Sequence, residues 1–260
     1  MIRVLILLGC ISSFTALAQI RVGKLVVKKN QIYSLDNSDI LVADTLVMMD
    51  SSRIRLNPLK PENYLRIQVA IIGKYCVIDG RGTNGKRGGN GASGVTPIGP
   101  CKDGVAGRNG ARGLDGTAGI NLFLYIDSLK INGSLTVDLS GGDGGDGGNG
   151  GFGGSGSPGT RHCNGGNGAN GGKGGNGGSG GPGGKLTLGD SAVKKFRALV
   201  GENIKLFYKG GTFGYGGIAG HGGAAGLGPQ KRNGKAGSPG IDGVLGRPGN
   251  IGTILFEDKQ

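Results

Sequence analysis

Tryptophan is missing from this chain, and histidine occurs only twice, as His162 and His221. His162 stands beside Cys163, but two adjacent ligands do not make a metal site, so no metal or other cofactor is expected. Proline is scarce, with nine residues in the chain, whereas a collagen triple helix wants roughly 15–20%. The glycine repeat described below is therefore collagen-like in period only. Beyond the first eighteen residues no stretch approaches the ~20 apolar residues of a spanning helix. Catalytic motifs are lacking too. Gly177-Gly178-Ser179-Gly180-Gly181 fits the G-x-S-x-G string, but no strand–turn–helix context surrounds it. Matches to G-x-G-x-x-G are followed by no helix, and no glycine-rich loop ends in Gly-Lys-Ser or Gly-Lys-Thr. Gly141-Gly142-Asp143-Gly144-Gly145-Asp146 starts like a calcium-binding repeat, yet Gly148 stands where that repeat needs an aliphatic residue. No nucleophile–base constellation can be assembled, and the chain does not read as an enzyme.

Acid is in short supply as well. Seventeen Asp and Glu face thirty Lys and Arg, for a formal charge of +13. The chain opens on what reads as an export signal: Met1-Ile2-Arg3, an apolar stretch made of Val4 to Leu8 and Ile11 to Leu17 and interrupted by Gly9, Ser12 and Ser13, and a small-x-small cleavage site at Ala16-Leu17-Ala18. Removing residues 1–18 takes away Arg3 and no acid, so the charge falls to +12. Leu7-Leu8-Gly9-Cys10 resembles a lipobox that would put a lipid on Cys10, but its apolar lead is shorter than the usual ~7–15 residues. The expected destination is extracellular or the cell surface and outer membrane, with the periplasm as the alternative. A chain this basic prefers anionic partners: lipopolysaccharide, acidic glycan or acidic protein. Export argues against nucleic acid.

Glycine is what the chain has in excess, at 62 of 260 residues. β-Branched, strand-like segments occupy 19–80, 120–140, 185–209 and 253–260. Ser191 to Val200 reads as a short helix capped by Asp190 or Ser191 and stopped by Gly201. Between these segments lie three glycine tracts, at 81–119, 141–184 and 210–252, each with glycine at every third position. The second holds that phase at 14 of 15 triplet positions from 141 to 183, broken only by His162. Each tract divides at a glycine-poor tip: 95–103, 160–164 and 227–233. The sequence thus runs strand, arm out, tip, arm back, strand, three times over.

Three-residue periodicity suits an extended polyproline-type helix, whose backbone has no internal hydrogen bonds. A glycine face lets neighbouring backbones approach and pair. Where two of every three residues are glycine, as in the second tract, two faces are cleared, and that tract belongs in the centre. The expected fold class is mainly β plus polyglycine II. A β base, sandwich-like or a short solenoid, carries six polyglycine-II arms arranged as three hairpins.

The Gly-Gly-x repeats at 141–184, with their folded-back arms, resemble the polyglycine-II bundles of phage tail-fibre tip adhesins and of the snow flea antifreeze protein. The adhesin resemblance implies that the tips are recognition loops, with Lys102, Arg161, His162, Lys231 and Arg232 as the residues that meet a ligand. The antifreeze resemblance implies a flat face of short Thr and Ser. Here the third positions hold Asp143, Asp146, Asn149, Phe152 and Lys173, which are too mixed and charged for that.

Once Cys10 leaves with the signal, Cys76, Cys101 and Cys163 remain, and sequence alone leaves three bridges open. The folded-back arms favour Cys101–Cys163, because both residues sit at tips. Cys76 lies in an apolar strand and reads as a small buried hydrophobe. Tyr208, Phe213 and Tyr215 are expected to seal the base. The functional expectation is an exported, non-enzymatic, adhesin-like binding protein for surface glycan or an envelope protein. The alternative is an accessory subunit of an outer-membrane or cell-surface complex, docking through its β base.

Overall fold

Strands alternate between two sheets as the chain advances. The computed structural model describes residues 19–257; the expected export signal and Cys10 lie outside them. In order come β1 (Gln19–Val27), β2 (Ile32–Ser34), β3 (Ile40–Met48), β4 (Arg53–Arg55), β5 (Glu62–Ile72) and β6 (Cys76–Asp79). Then follow β7 (Asn121–Ile131), β8 (Leu135–Asp138), β9 (Lys185–Gly189), α1 (Val193–Leu199), β10 (Ile204–Phe207) and β11 (Thr253–Phe256). Odd-numbered strands form a six-stranded sheet in the order β1-β3-β5-β7-β9-β11, and even-numbered strands a five-stranded sheet in the order β10-β8-β6-β4-β2. Every pairing is parallel. The chain therefore coils, laying one strand in each sheet per turn.

Register explains the core. Leu41, Leu65, Leu124 and Leu188 stand opposite one another on successive strands of the large sheet, with Ile20 and Phe256 at the two ends of the row. On the small sheet Ile54, Ile78 and Val137 do the same. All belong to, or pack against, one apolar cluster between the sheets. Cys76 is fully buried in it. Helix α1 docks through Val193 and Phe196. Its N-cap is Ala192 with no side-chain cap, in place of the Asp190 or Ser191 cap expected, while Gly201 does stop it with φ of 94°.

The expected fold class needs correction here. Among the described residues regular structure is mainly β, in two parallel sheets with one short α-helix and a 3-10 turn at Pro229–Lys231, and the glycine tracts form neither α-helix nor β-strand. The polyglycine-II bundle expected from the three-residue period is not the class observed, although a β-rich base is. Periodicity reveals that the tracts are repetitive; it does not reveal that the strands and the α-helix are confined to the coil.

The tracts leave the coil at equivalent places. Each starts after a small-sheet strand (β6, β8 or β10) and returns to the next large-sheet strand (β7, β9 or β11). Because those strands are neighbours, the outgoing segments start side by side and so do the returning ones. Backbone hydrogen bonds join them throughout. Gly141 N–H donates to Lys209 O and Gly142 N–H to Thr117 O, and each series recurs every three residues along the segment. The second tract bonds to both others and lies between them, as its doubled glycine predicts. Apart from Gly99 at a tip, no tract glycine has positive φ, so conformational freedom is not why glycine is there. The reason is space. A Cβ on Gly147 would fall on the Gly175 carbonyl, and one on Gly144 on that of Gly178.

The third positions have a role that composition did not reveal. Their side-chain oxygens accept backbone N–H groups of the adjoining segment: Asn84 Oδ1 from Asp143, Asn90 Oδ1 from Asn149, Asp146 Oδ1 from Tyr215, and Asn149 Oδ1 from Ile218. The opposite face repeats the device with Asp103, Asn109, Asn167 and Asn176. Glycine N–H groups pair with backbone carbonyls, and many of the remaining N–H groups are taken up by Asn, Asp, Ser or Thr. Buried and half-buried backbone donors are thereby satisfied without a sheet.

Candidate functional site

The ends of the tracts farthest from the coil gather the residues singled out in the sequence. Cys101 and Cys163 form a disulfide with Cα atoms 6.0 Å apart, which ties the first tip to the second. The second and third tips are joined by Arg232 Nη2 donating to Arg161 O at 2.7 Å, by Gly159 N–H to Leu227 O, and by Gly165 N–H to Arg232 O. Arg232 Nε is shielded and has no acceptor. Lys102, Arg161, His162 and Lys231 are exposed and Arg232 is half-buried. Thus all five basic and His residues share one end of the molecule, though no hydrogen bond or ion pair links their side chains to each other. Cys101, Gln230 and Lys231 have positive φ, as tight reversals require. Among the described residues no group of His, Cys, Asp or Glu could hold a metal ion.

A second concentration of charge lies where the tracts leave the coil, and sequence reasoning missed it. Asp79, at the end of β6, is 6% exposed and accepts from Arg53 Nη1 at 2.6 Å and from Arg81 Nε at 3.0 Å. Arg81 also reaches Asp138, one strand over, at 3.8 Å. Burial pushes the Asp79 carboxyl up, but the hydrogen bonds from Arg81 and Arg53 outweigh it and hold the group below the ordinary aspartate value. Beside this cluster lies a cleft of about 750 Å³ lined by Arg55, Thr83, Ser140 and Lys209. Asp79 and Asp138 are register partners, a relation that only the turn length of the coil could have disclosed. Arg81 thus serves the coil, and the first arm's Arg112 pairs with Asp115. Tyr215 is exposed and does not seal the base; His221 stacks on Phe152.

No protein-family model matches the chain, and no curated protein sequence matches it. Among solved structures, the chain shows 27% identity to an antifreeze protein of the springtail Granisotoma rainieri, described as a nine polyproline type II helical bundle. That match covers 63% of this chain and 94% of the springtail protein, with a TM-score of 0.13. Among the described residues no helix is long and apolar enough to cross a membrane.

Proposed function

We propose that this is an exported, non-enzymatic binding protein of adhesin type, whose glycine tracts hold three tip loops together as one recognition surface. The observation that carries the reading is the linkage of the tips by the Cys101–Cys163 disulfide and the Arg232–Arg161 hydrogen bond. Mobile linkers do not need cross-linked ends. An anionic surface ligand, such as an acidic glycan or an envelope protein, suits the basic side chains displayed there. Replacing residues 95–100, 160–161 and 229–232 with Gly-Ser sequence should abolish binding to the cells that carry the ligand and leave the circular dichroism unchanged. Retained binding refutes the reading.

A second reading, an accessory subunit docking through the coil, is favoured by the apolar end of that coil. Val200, Phe207 and Leu255 are exposed there, and a groove of about 340 Å³ opens beside Ile254 and Leu206. Stoichiometric copurification with a membrane protein, lost on Phe207→Asp, is the expected outcome of that reading. Recovery of the protein alone refutes it.

A further inference from the structure

The tip surface carries apolar residues as well as charge. Ile98 is 94% exposed, Leu227 71% and Val95 63%. Ile98 stands between Pro97 and Pro100, whose fixed φ angles restrict the loop, and Ser157 Oγ donates to Pro97 O at 2.8 Å to anchor it. The same tips carry Lys102, Arg161, Lys231 and Arg232. The lone acid of the three tips, Asp103, is engaged by the Asn167 N–H at 2.6 Å. Projecting aliphatic residues among four cations and a single acid match the two layers of an anionic bilayer surface. Cations meet headgroups, and apolar side chains reach the acyl boundary roughly 5–10 Å below. An acidic glycan would use the cations and leave Ile98 and Leu227 in water.

Building on the reading that the tips are the recognition surface, we infer that their ligand is an anionic lipid surface. The tips insert Ile98 and Leu227 while Lys102, Arg161 and Lys231 hold lipid phosphates. The glycine tracts then set the distance between that surface and the coil.

The absence of tryptophan makes the test direct. Ile98→Trp introduces a single indole fluorophore at the exposed apex, far from the packed parts of the fold. The probes are phosphatidylcholine–phosphatidylglycerol vesicles, pure phosphatidylcholine vesicles, and soluble dextran sulfate. The expected result is co-sedimentation with the anionic vesicles only, together with a blue shift of the indole emission. Lys102→Ser and Lys231→Ser should each weaken partitioning about fivefold, and Ile98→Asn combined with Leu227→Asn about tenfold or more. No partitioning of the natural protein overturns the inference. So does partitioning without a blue shift, or dextran sulfate binding that the Asn pair leaves unchanged. Should cell binding require the tips while vesicles are ignored, the adhesin reading stands and the lipid inference alone falls. Cell binding that survives replacement of the tips removes both.

Discussion

The coil and the glycine region sit on one chain and are held together by opposite means. Between the two sheets of the coil, stability comes from atoms that are present: Leu41, Leu65, Leu124 and Leu188 fill the space in register. In the glycine region it comes from atoms that are absent. The inward positions carry no side chain, and that lets Gly144 N–H reach Thr212 O and Gly145 N–H reach Leu114 O, both at 2.8 Å. One region is damaged by removing a carbon and the other by adding one. The first draws on apolar burial. The second draws on backbone hydrogen bonds, each modest in net worth but expensive to leave unmade when buried.

The largest effect expected follows from that inversion. In Gly147→Val the new Cβ meets the carbonyls of Gly175 and Asn176, which are backbone and cannot give way. We expect a loss of about 3 kcal/mol or more, with hydrogen exchange accelerating across the second tract first. Gly89→Ala is the control. Nothing lies within 4 Å of its added Cβ, and the change should stay within about 0.5 kcal/mol. Equal effects at both glycines, read by thermal unfolding, would mean that close packing does not hold the tracts.

Leu65→Ala probes the other side at slightly smaller expected cost. Leu65 is fully buried between Leu41 and Leu124, and truncation should destabilise by about 2–4 kcal/mol. Leu65→Met should cost less than ~1.5 kcal/mol, because apolar cores tolerate swaps that conserve volume. At the close-packed glycines such as Gly147 no such tolerant swap exists, because any side chain adds the Cβ that meets backbone.

How much of this can be read beforehand also divides along the same line. Strand segments such as Ile40–Met48 announce themselves by β-branched residues, and the glycine phase marks the limits of the tracts. The Cys101–Cys163 bridge is legible because both cysteines lie at tips, where the glycine arms reverse. Strand direction is not legible. Leu135–Asp138 pairs in parallel with Cys76–Asp79 because each turn of the coil lays one strand in each sheet in the same direction, with or without a glycine excursion, a long-range fact with no local signal. The Asp79–Arg53–Arg81 cluster is hidden for the same reason. Asn149 and Asp146 are visible as polar residues, but nothing local says what they bond. Their acceptors serve N–H groups 69 positions away.

Acid should separate the two regions as well. The Asp79 carboxyl is held below its ordinary value, so it contributes stability above the unfolded aspartate pKa, about 3.9. That contribution disappears as pH falls through the lower folded value. Asp79→Asn loses ion pairs to Arg53 and Arg81 and should cost about 1.5 kcal/mol at neutral pH. It should also flatten the decline in melting temperature of the coil below about pH 4. A variant whose acid profile matches that of the natural protein would show that the Asp79 carboxylate contributes no pH-dependent stability.

The smallest effect is also the most local. Asn149 accepts the Ile218 N–H through Oδ1 at 3.0 Å, while its own N–H donates to Asn90 and its carbonyl accepts from Gly91. Asn149→Ala removes only the first of these bonds, at an exposed position, and should cost about 0.5–1 kcal/mol. Global unfolding barely resolves that much, but amide exchange does: Ile218 should lose protection, whereas Gly217 and Gly150, whose bonds are backbone to backbone, should keep theirs. Asn149→Asp should restore Ile218, since Asp143 and Asp146 already serve Thr212 and Tyr215 in this way. Rescue by Asp but not by Leu makes the third position a hydrogen-bonding site. Equal protection in Ala and Asp would return Asn149 to mere solubility, and the tracts would rest on their glycine bonds alone.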